Sequence, residues 1–448
     1  MDQHAHRLTS GSLPRQMLLF SIPLILSNLL QALFNMSDIA VVGRFAGAAA
    51  LGSVGSTSHL VYLFTSFLIG MGSGVNVLAA RYYGAENREA LGQTVHTALL
   101  VCLAAGLLVL AMGEIFARPL LALLGTKPDL SDGASLYLRI YFLGMPALAI
   151  YNYGNAVFSA VGDTKRPLLY LTVSGVMNVG LNLFFVIVCR LDVAGVALAS
   201  VLSQYLSAGL ILAALLRTRE EYGLRLVELR PDRTRAGMLL RLGIPSGLQN
   251  AIFSVANLFI QGGVNTFDSA TVEGNAAAAN GDTMMFSVMS AFYVAGASFI
   301  SQNFGAGKKD RIRKSFVLSI GYAAVTAVVM GGLLVIFAQP FLSLFTADPD
   351  VVEAGVQRLT IMGFSYFISA FMDGATAASR GLGKTILPVV FIVLGSCVFR
   401  IIWIYTVFAW FGTFRSLYLV YAFSWVITSV AEVWYFIRSY RQETKLFA

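Results

Sequence analysis

Charge is what this chain most lacks. Only 12% of its 448 residues are Asp, Glu, Lys or Arg, about half of the ~25% usual in soluble domains, which excludes an ordinary water-soluble globule. Cysteine is nearly absent. Cys102, Cys189 and Cys397 stand singly, each in or beside an apolar run and none in a C-x-x-C spacing. They read as buried thiols and exclude a disulfide framework or a thiolate metal site. Histidine is equally sparse: His4 and His6 lie in a polar tail, and His59 and His96 are each alone in an apolar segment. No metal or nucleophile constellation emerges, so the chain is not expected to be an enzyme. A P-loop is missing too. Gly383-Lys384-Thr385 resembles the end of one, but Ala378 stands where the first glycine is required and no strand precedes it. ATP is therefore not expected as the direct energy source, and no cofactor is expected. The polar first twelve residues and the length of the first apolar segment argue against a cleavable signal peptide.

What is abundant is apolar sequence: 57% of residues are hydrophobic and the mean hydropathy is +0.73. Twelve apolar segments recur, at 14–38, 51–77, 90–117, 131–156, 166–189, 193–216, 237–265, 275–300, 313–339, 352–377, 385–410 and 415–438. Each is long enough to span a bilayer as a helix, so the expected fold is an all-α polytopic membrane protein. The net charge of +8 sits in the loops between apolar segments and reads as a topology signal, not as a nucleic-acid footprint. With the N-terminus inside, 23 of the 31 Lys and Arg fall on inside loops, which places both termini in the cytoplasm.

The chain repeats itself. Pro23 matches Pro245, Asn28 matches Asn250 and Asn35 matches Asn257 at an offset of 222. Gly84 and Gly305, Pro119 and Pro340, Gly162 and Gly383, and Pro167 and Pro388 match at 221. Six spans per half is an even number, so the two six-helix lobes are expected to run parallel, related by an axis along the membrane normal. The expected domains are an N-terminal lobe 1–216, a charged cytoplasmic linker 217–241 and a C-terminal lobe 242–448.

Within the first span, Asn28, Gln31, Asn35 and Asp38 fall three, four and three apart, the spacing that stacks side chains on one helix face. A carboxylate at membrane depth costs about 2.5–3.5 kcal/mol and persists mainly where it faces a cavity or an ion path; the bland alternative is a structural acid satisfied by a neighbouring helix. Asn178 and Asn182, four apart in span 5, and Ser200 in span 6 add neutral oxygens. Such a set suits a hard monovalent cation such as Na+, or a carboxyl that takes up a proton, or plain interhelical hydrogen bonding. Span 7 repeats the stripe as Gln249, Asn257, Gln261 and Asn265, with Ile260 where Asp38 would match. The second half places acids elsewhere, Asp282 in span 8 and Asp373 in span 10, and Arg400 in span 11 is expected to pair with Asp373 because an unpaired buried charge is expensive. Span 8 also carries Met284, Met285, Phe286, Met289, Phe292 and Tyr293, which suit either a surface accepting many apolar shapes or ordinary helix packing. Glu432, near the inside interface, is explained by snorkelling.

MSDIAVVGRFAGAAALGSVG (36–55), GDTKRP (162–167), QNFGAG (302–307) and RGLGKTILP (380–388) resemble the multidrug and toxic compound extrusion family over essentially the whole chain. The span 7 segment SGLQNAIFSVANLFIQ and GNAAAAN before span 8 resemble its bacterial branch of DinF- and MepA-like proteins. The resemblance implies twelve helices in two lobes and export of cationic and amphipathic compounds in exchange for H+ or Na+. It implies a cation site at Asp38, Asn178, position 182 and Ser200, with the departure that position 182 is asparagine where the family carries a second acid. It also matches Asp282, Asp373 and Arg400 to charged positions of that branch. The substrate-facing set is then Gln31 and Asn35 in the first half, and Gln249, Asn257, Asp282, Met285, Met289, Asp373 and Arg400 in the second.

The expected function is a secondary-active multidrug antiporter in the bacterial inner membrane, a monomer whose partners are amphipathic or cationic drugs and membrane lipids. The alternative is a flippase for lipids or lipid-linked oligosaccharides, which should show a wider basic cavity for phosphates; a passive channel is a third class.

Overall fold

Among the described residues, twelve helical rods, some of them broken, correspond to the twelve apolar segments. The structure, a computed structural model, describes residues 8–447, with no strand among them; His4, His6 and Arg7 lie outside the described residues. The helices are α1 (Leu13–Val41), α2 (Ala48–Gly84), α3 (Arg88–Leu123), α4 (Pro128–Phe142), α5 (Met145–Val161), α6 (Lys165–Leu183) and α7 (Asp192–Arg217). Then come α8 (Arg233–Val264), α9 (Ser269–Gly305), α10 (Lys309–Ile336), the short α11 (Ala338–Leu342) and α12 (Pro349–Gly381). Span 11 is broken into α13 (Ile386–Ile392), α14 (Phe399–Trp403) and α15 (Ala409–Phe411) by two π turns, and α16 (Phe414–Glu443) closes the chain. Among the described residues nine helices are long and apolar enough to cross a membrane, or ten if α4 and α5, bent by 46° at their junction, count as one span. α8 and α12 are as long, at 32 and 33 residues, but their polar and charged side chains keep them out of that group.

The polarity is that of a protein solvated by hydrocarbon. Leu123 and Trp410 are 83% and 86% exposed, while Ser298, Gln302 and Asn303 are fully buried. Polar groups turn inward because lipid cannot satisfy them.

The structure divides into two compact units, Leu26–Gly247, and Leu8–Ile25 together with Leu248–Ala448. This differs from the expected boundaries: the start of α1 belongs to the second unit. Side-chain chemistry gives the reason. Asn303 Nδ2 donates to the Leu8 carbonyl, Lys308 Nζ to the Thr9 carbonyl, and Arg311 to the carbonyls of Leu8, Ser10 and Gly11. Met17 and Phe20 then pack with Phe299, whose ring centroid lies 5.6 Å from that of Phe20. α8 changes unit in the same way, at Leu248, and 248 − 26 = 222, the offset of the sequence repeat. Both changes fall three residues past an in-helix proline, Pro23 or Pro245, where the missing N–H removes one backbone hydrogen bond.

Within the first unit, Gly70 and Gly74 of α2 meet Gly247 and Gly243 of α8 so closely that a Cβ built on Gly70 would fall 2.3 Å from the Gly247 nitrogen. Small residues four apart allow this backbone approach. The linker proper, 218–232, is also part of this unit. Tyr222 and Leu224 enter its core, the Arg225 amide donates to His96 Nε2 at 3.0 Å and the Asp232 amide to Thr97 Oγ1 at 3.1 Å. It is a packed strap and not a loose tether. Matched turns repeat as well: Gly162 and Gly383 take positive φ of 96° and 79° after α5 and α12, a conformation glycine adopts without strain. Cys102 and Cys397 are buried as expected, but Cys189 is exposed, because it ends the π turn Phe184–Val188.

Candidate functional site

α1 is helical through Asp38, so the stripe Asn28, Gln31, Asn35 and Asp38 does share a face. Gln31 and Asn35 are exposed. Two helices of the same unit reach Asp38. Asn182 of α6 donates from Nδ2 to Asp38 Oδ1, and Ser200 of α7 donates from Oγ to Oδ2 at 3.3 Å. Asn182 Nδ2 also donates to Asn178 Oδ1 at 3.2 Å, one helical turn away. Asn182 is fully buried, and its Oδ1 has no hydrogen-bond partner. Among the described residues no Lys, Arg or His lies within ion-pair distance of Asp38, whose polar partners are Asn182 and Ser200. The four residues expected to form a cation site therefore converge. Tyr137 and Tyr141 of α4, not anticipated from the sequence, stack at 5.7 Å and lie within electrostatic reach of Asp38; their spacing of four in an apolar span was the available signal.

Chemically, the cluster offers a half-buried carboxylate beside two buried amide oxygens and a buried hydroxyl. A carboxylate so placed favours uptake of a proton or a small cation, because no basic side chain neutralises it. Among the described residues no group of three or more His, Cys, Asp or Glu is placed to hold a metal ion.

The second unit treats its charges differently. Asp282 of α9 makes a two-pronged ion pair with Arg358 of α12, Nη1 reaching Oδ1 at 3.4 Å and Nη2 reaching Oδ2 more closely, and Tyr366 OH donates to Oδ1. Asp282 is thus neutralised and not a free acid for a cation. Arg400 does not form the expected ion pair with Asp373. It donates from Nε to Ser424 Oγ and from Nη1 to Asn257 Oδ1, both at 3.2 Å, and lies over the rings of Tyr421 and Phe253 at 4.5 and 5.6 Å. The neutral oxygens and aromatic faces hold the guanidinium instead. Asp373 lies within electrostatic range of both Arg380 and Arg400. Gln249, from the span 7 stripe, accepts from Arg380 Nη2 at 3.3 Å, and Gln261 bridges Asn265 and Asn275.

Two expectations fail on burial. Met285 and Met289 are fully buried and pack helices in this conformation, whereas Met284 is exposed. Glu432 does not snorkel: it is fully buried beside Thr376, Asp373 and Arg380 of α12, since its helix face points inward.

Comparison with known proteins follows the same two-fold pattern. The MatE family model matches twice, over residues 23–185 and 245–406, and 245 − 23 = 222 while 406 − 185 = 221. The probable multidrug resistance protein YoeA of Bacillus subtilis is 30% identical over 390 residues, covering 84% of this chain and 83% of the relative. The FAD transporter of Shewanella oneidensis is 28% identical over 354 residues, 78% of each chain. Among solved structures, an outward-facing multidrug resistance MATE family transporter superposes with a TM-score of 0.91 at 19% identity, covering 97% of this chain and 98% of that one, which establishes the shared twelve-helix fold. With the family model on both halves and relatives of this similarity along most of its length, the chain belongs to the MatE family of multi-pass membrane transporters.

Proposed function

We propose that this protein is a secondary-active exporter of amphipathic and cationic small molecules, driven by entry of H+ or Na+ at Asp38. One observation carries the reading: among the described residues the Asp38 carboxylate is held by neutral side chains alone, beside a buried Asn182 Oδ1 that lacks a partner. Occupied and empty, such a site differs by a full charge at membrane depth, and that difference lets a ligand bias one conformation over another. Asn178, Asn182 and Ser200 supply oxygens to Na+, or orient the carboxyl for H+. Asparagine at 182 leaves one carboxylate in the cluster, so one monovalent ion neutralises it. At a membrane potential of 100 mV, one charge moving inward supplies about 2.3 kcal/mol, enough for roughly fiftyfold accumulation of a neutral substrate. The two lobes act as the rocking parts, with both termini in the cytoplasm. The names of the relatives, multidrug resistance proteins in the main, support multidrug efflux.

A second reading concerns substrate charge. Arg400 is buried and held by neutral groups, so it brings a positive charge without an ion-pair partner close to the Asn257 stripe. Together with a relative named as an FAD transporter, it supports substrates that carry an anionic group. The test is efflux from reconstituted vesicles driven separately by a sodium and a proton gradient, with a fluorescent organic cation and a fluorescent organic anion as probes. Drive by one gradient and not by a potential alone supports coupled antiport. Equal, gradient-independent leakage of both probes overturns it.

A further inference from the structure

The sixth rod of each half ends in a basic groove, and the two grooves occupy matching positions. In the second unit a groove of about 510 Å³ is lined by Trp434, Ile437, Arg438, Arg441, Gln442 and Lys445 of the α16 end. In the first, a groove of about 480 Å³ brings Arg217 and Arg219 at the α7 end together with Arg166 and Tyr170 of α6. Arg217 and Arg438 are 438 − 217 = 221 apart, and the lining residues Ala213 and Trp434 are 434 − 213 = 221 apart. That is the offset of the fold repeat, so the grooves share matching positions on the sixth rod of each half, although the first is also walled by α6. An even number of spans separates them, which puts both on the same side of the membrane, the side carrying most of the Lys and Arg.

The α16 groove continues a longer track. Phe423, Ile427, Val430, Trp434 and Ile437 are all exposed, at spacings of four, three, four and three, so they form one lipid-facing stripe. Arg438, Arg441 and Lys445 extend the same face. From Trp434 to Lys445 the helix rises about 16 Å, through the interfacial layer where amphipathic rings and headgroups meet. Arg438 lies over the Trp434 ring at 5.5 Å, which directs the guanidinium along the stripe. No carboxylate lines this groove among the described residues, and Glu443 is taken by Lys384 at 2.7 Å. The α7 groove is less positive: Glu220 lines it, and Arg166 is paired with Asp163 at 3.0 Å.

We propose that each groove seats the headgroup of an anionic phospholipid, with an acyl chain along the apolar track, and that the α16 site is the tighter of the two. The apolar stripe running into the cationic cluster commits the site to a lipid and not to free phosphate. A phosphodiester oxygen is the complement of the guanidinium pair at its head.

The full chain in nanodiscs of mixed phosphatidylglycerol and phosphatidylcholine, analysed by native mass spectrometry, tests this. The wild type is expected to retain phosphatidylglycerol preferentially. In R438Q/R441Q/K445Q that preference should fall by about fivefold per charge removed, and in R217Q/R219Q it should fall less. The substituted side chains are at exposed helix ends, and R441Q/K445Q alone serves if the triple variant is not monodisperse. Millimolar inorganic phosphate should leave the preference intact. An unchanged lipid ratio in the α16 variants overturns the proposal, as does loss of the wild-type preference on adding inorganic phosphate.

Discussion

Removing Arg358 should cost far more than removing Arg358 and the charge of Asp282 together. The pair is two-pronged, and its side chains are 5% and 20% exposed. Arg358→Met leaves the Asp282 carboxylate with Tyr366 as its one remaining partner in the interior. Breaking a buried ion pair from one side costs about 3–5 kcal/mol, and the partial exposure of Asp282 argues for the lower end. Loss of the contact between Arg358 and the Tyr418 ring, at 5.4 Å, adds about 0.5–2 kcal/mol. A loss of about 3 kcal/mol lowers the folded-to-unfolded ratio by roughly 150-fold. The double variant Asp282→Asn, Arg358→Met removes both charges and keeps an oxygen for Tyr366, so it should recover about 2 kcal/mol of that loss. Thermal stability of the wild type, Asp282→Asn, Arg358→Met and the double variant in one detergent, read as surviving monodisperse fraction, gives the cycle. The order expected is wild type, then the double variant, then Arg358→Met. Additive losses, with the double variant the least stable, would refute the ion-pair reasoning.

Three further outcomes follow from local geometry. Glu86 holds a positive φ of 55° where the matching position of the second half is Gly307, at 67°; Glu86→Gly should therefore be neutral or raise stability by up to about 1 kcal/mol, measured by thermal unfolding. Gly70→Leu should destabilise by about 1–3 kcal/mol or prevent folding, because its Cβ would meet the Gly247 backbone, and normal yield and stability would contradict the close helix approach. His96 Nε2 accepts from the Arg225 amide while Nδ1 faces the Gly92 carbonyl at 2.6 Å, which requires the neutral ring with its proton on Nδ1. His96→Leu should accelerate hydrogen exchange of residues 219–232, whereas Gly55→Ala, with open space around its Cβ, should leave that exchange unchanged.

The two halves share a scaffold and divide its chemistry. The first carries Asp38 among neutral partners; the second buries Glu432, Arg358 and Arg400 and half-buries Asp282, Asp373 and Arg380. A repeat of backbone signals such as Pro23 and Pro245 therefore does not imply a repeat of function.

Much of the architecture was legible because it rests on local pattern. Apolar runs mark the rods, and glycines and prolines at a constant offset mark turns and helix interruptions that the backbone requires. The convergence of Asp38, Asn178, Asn182 and Ser200 was legible from helical spacing and family resemblance together. Partner choice was not. Arg358 lies 76 residues from Asp282, near the start of the tenth apolar segment, and no spacing in the sequence pairs the two. Glu432 sits near an interface, and hydropathy does not report which way a helix face turns. The same limit hid the burial of Met285 and Met289. The assignment of Leu8–Ile25 to the second unit depends on Asn303, Lys308 and Arg311 gripping backbone carbonyls, an interaction with no sequence periodicity.

The most direct measurement of the central claim compares two transport modes in Asp38→Asn. Substrate exchange at equal concentrations across vesicle walls asks only that the protein bind and change conformation, while uphill export also needs the ion. The account predicts that vesicles carrying the Asp38→Asn variant lose gradient-driven export and keep measurable exchange, with the protein folded. Export in that variant at the wild-type rate and with the same dependence on the ion gradient would contradict it.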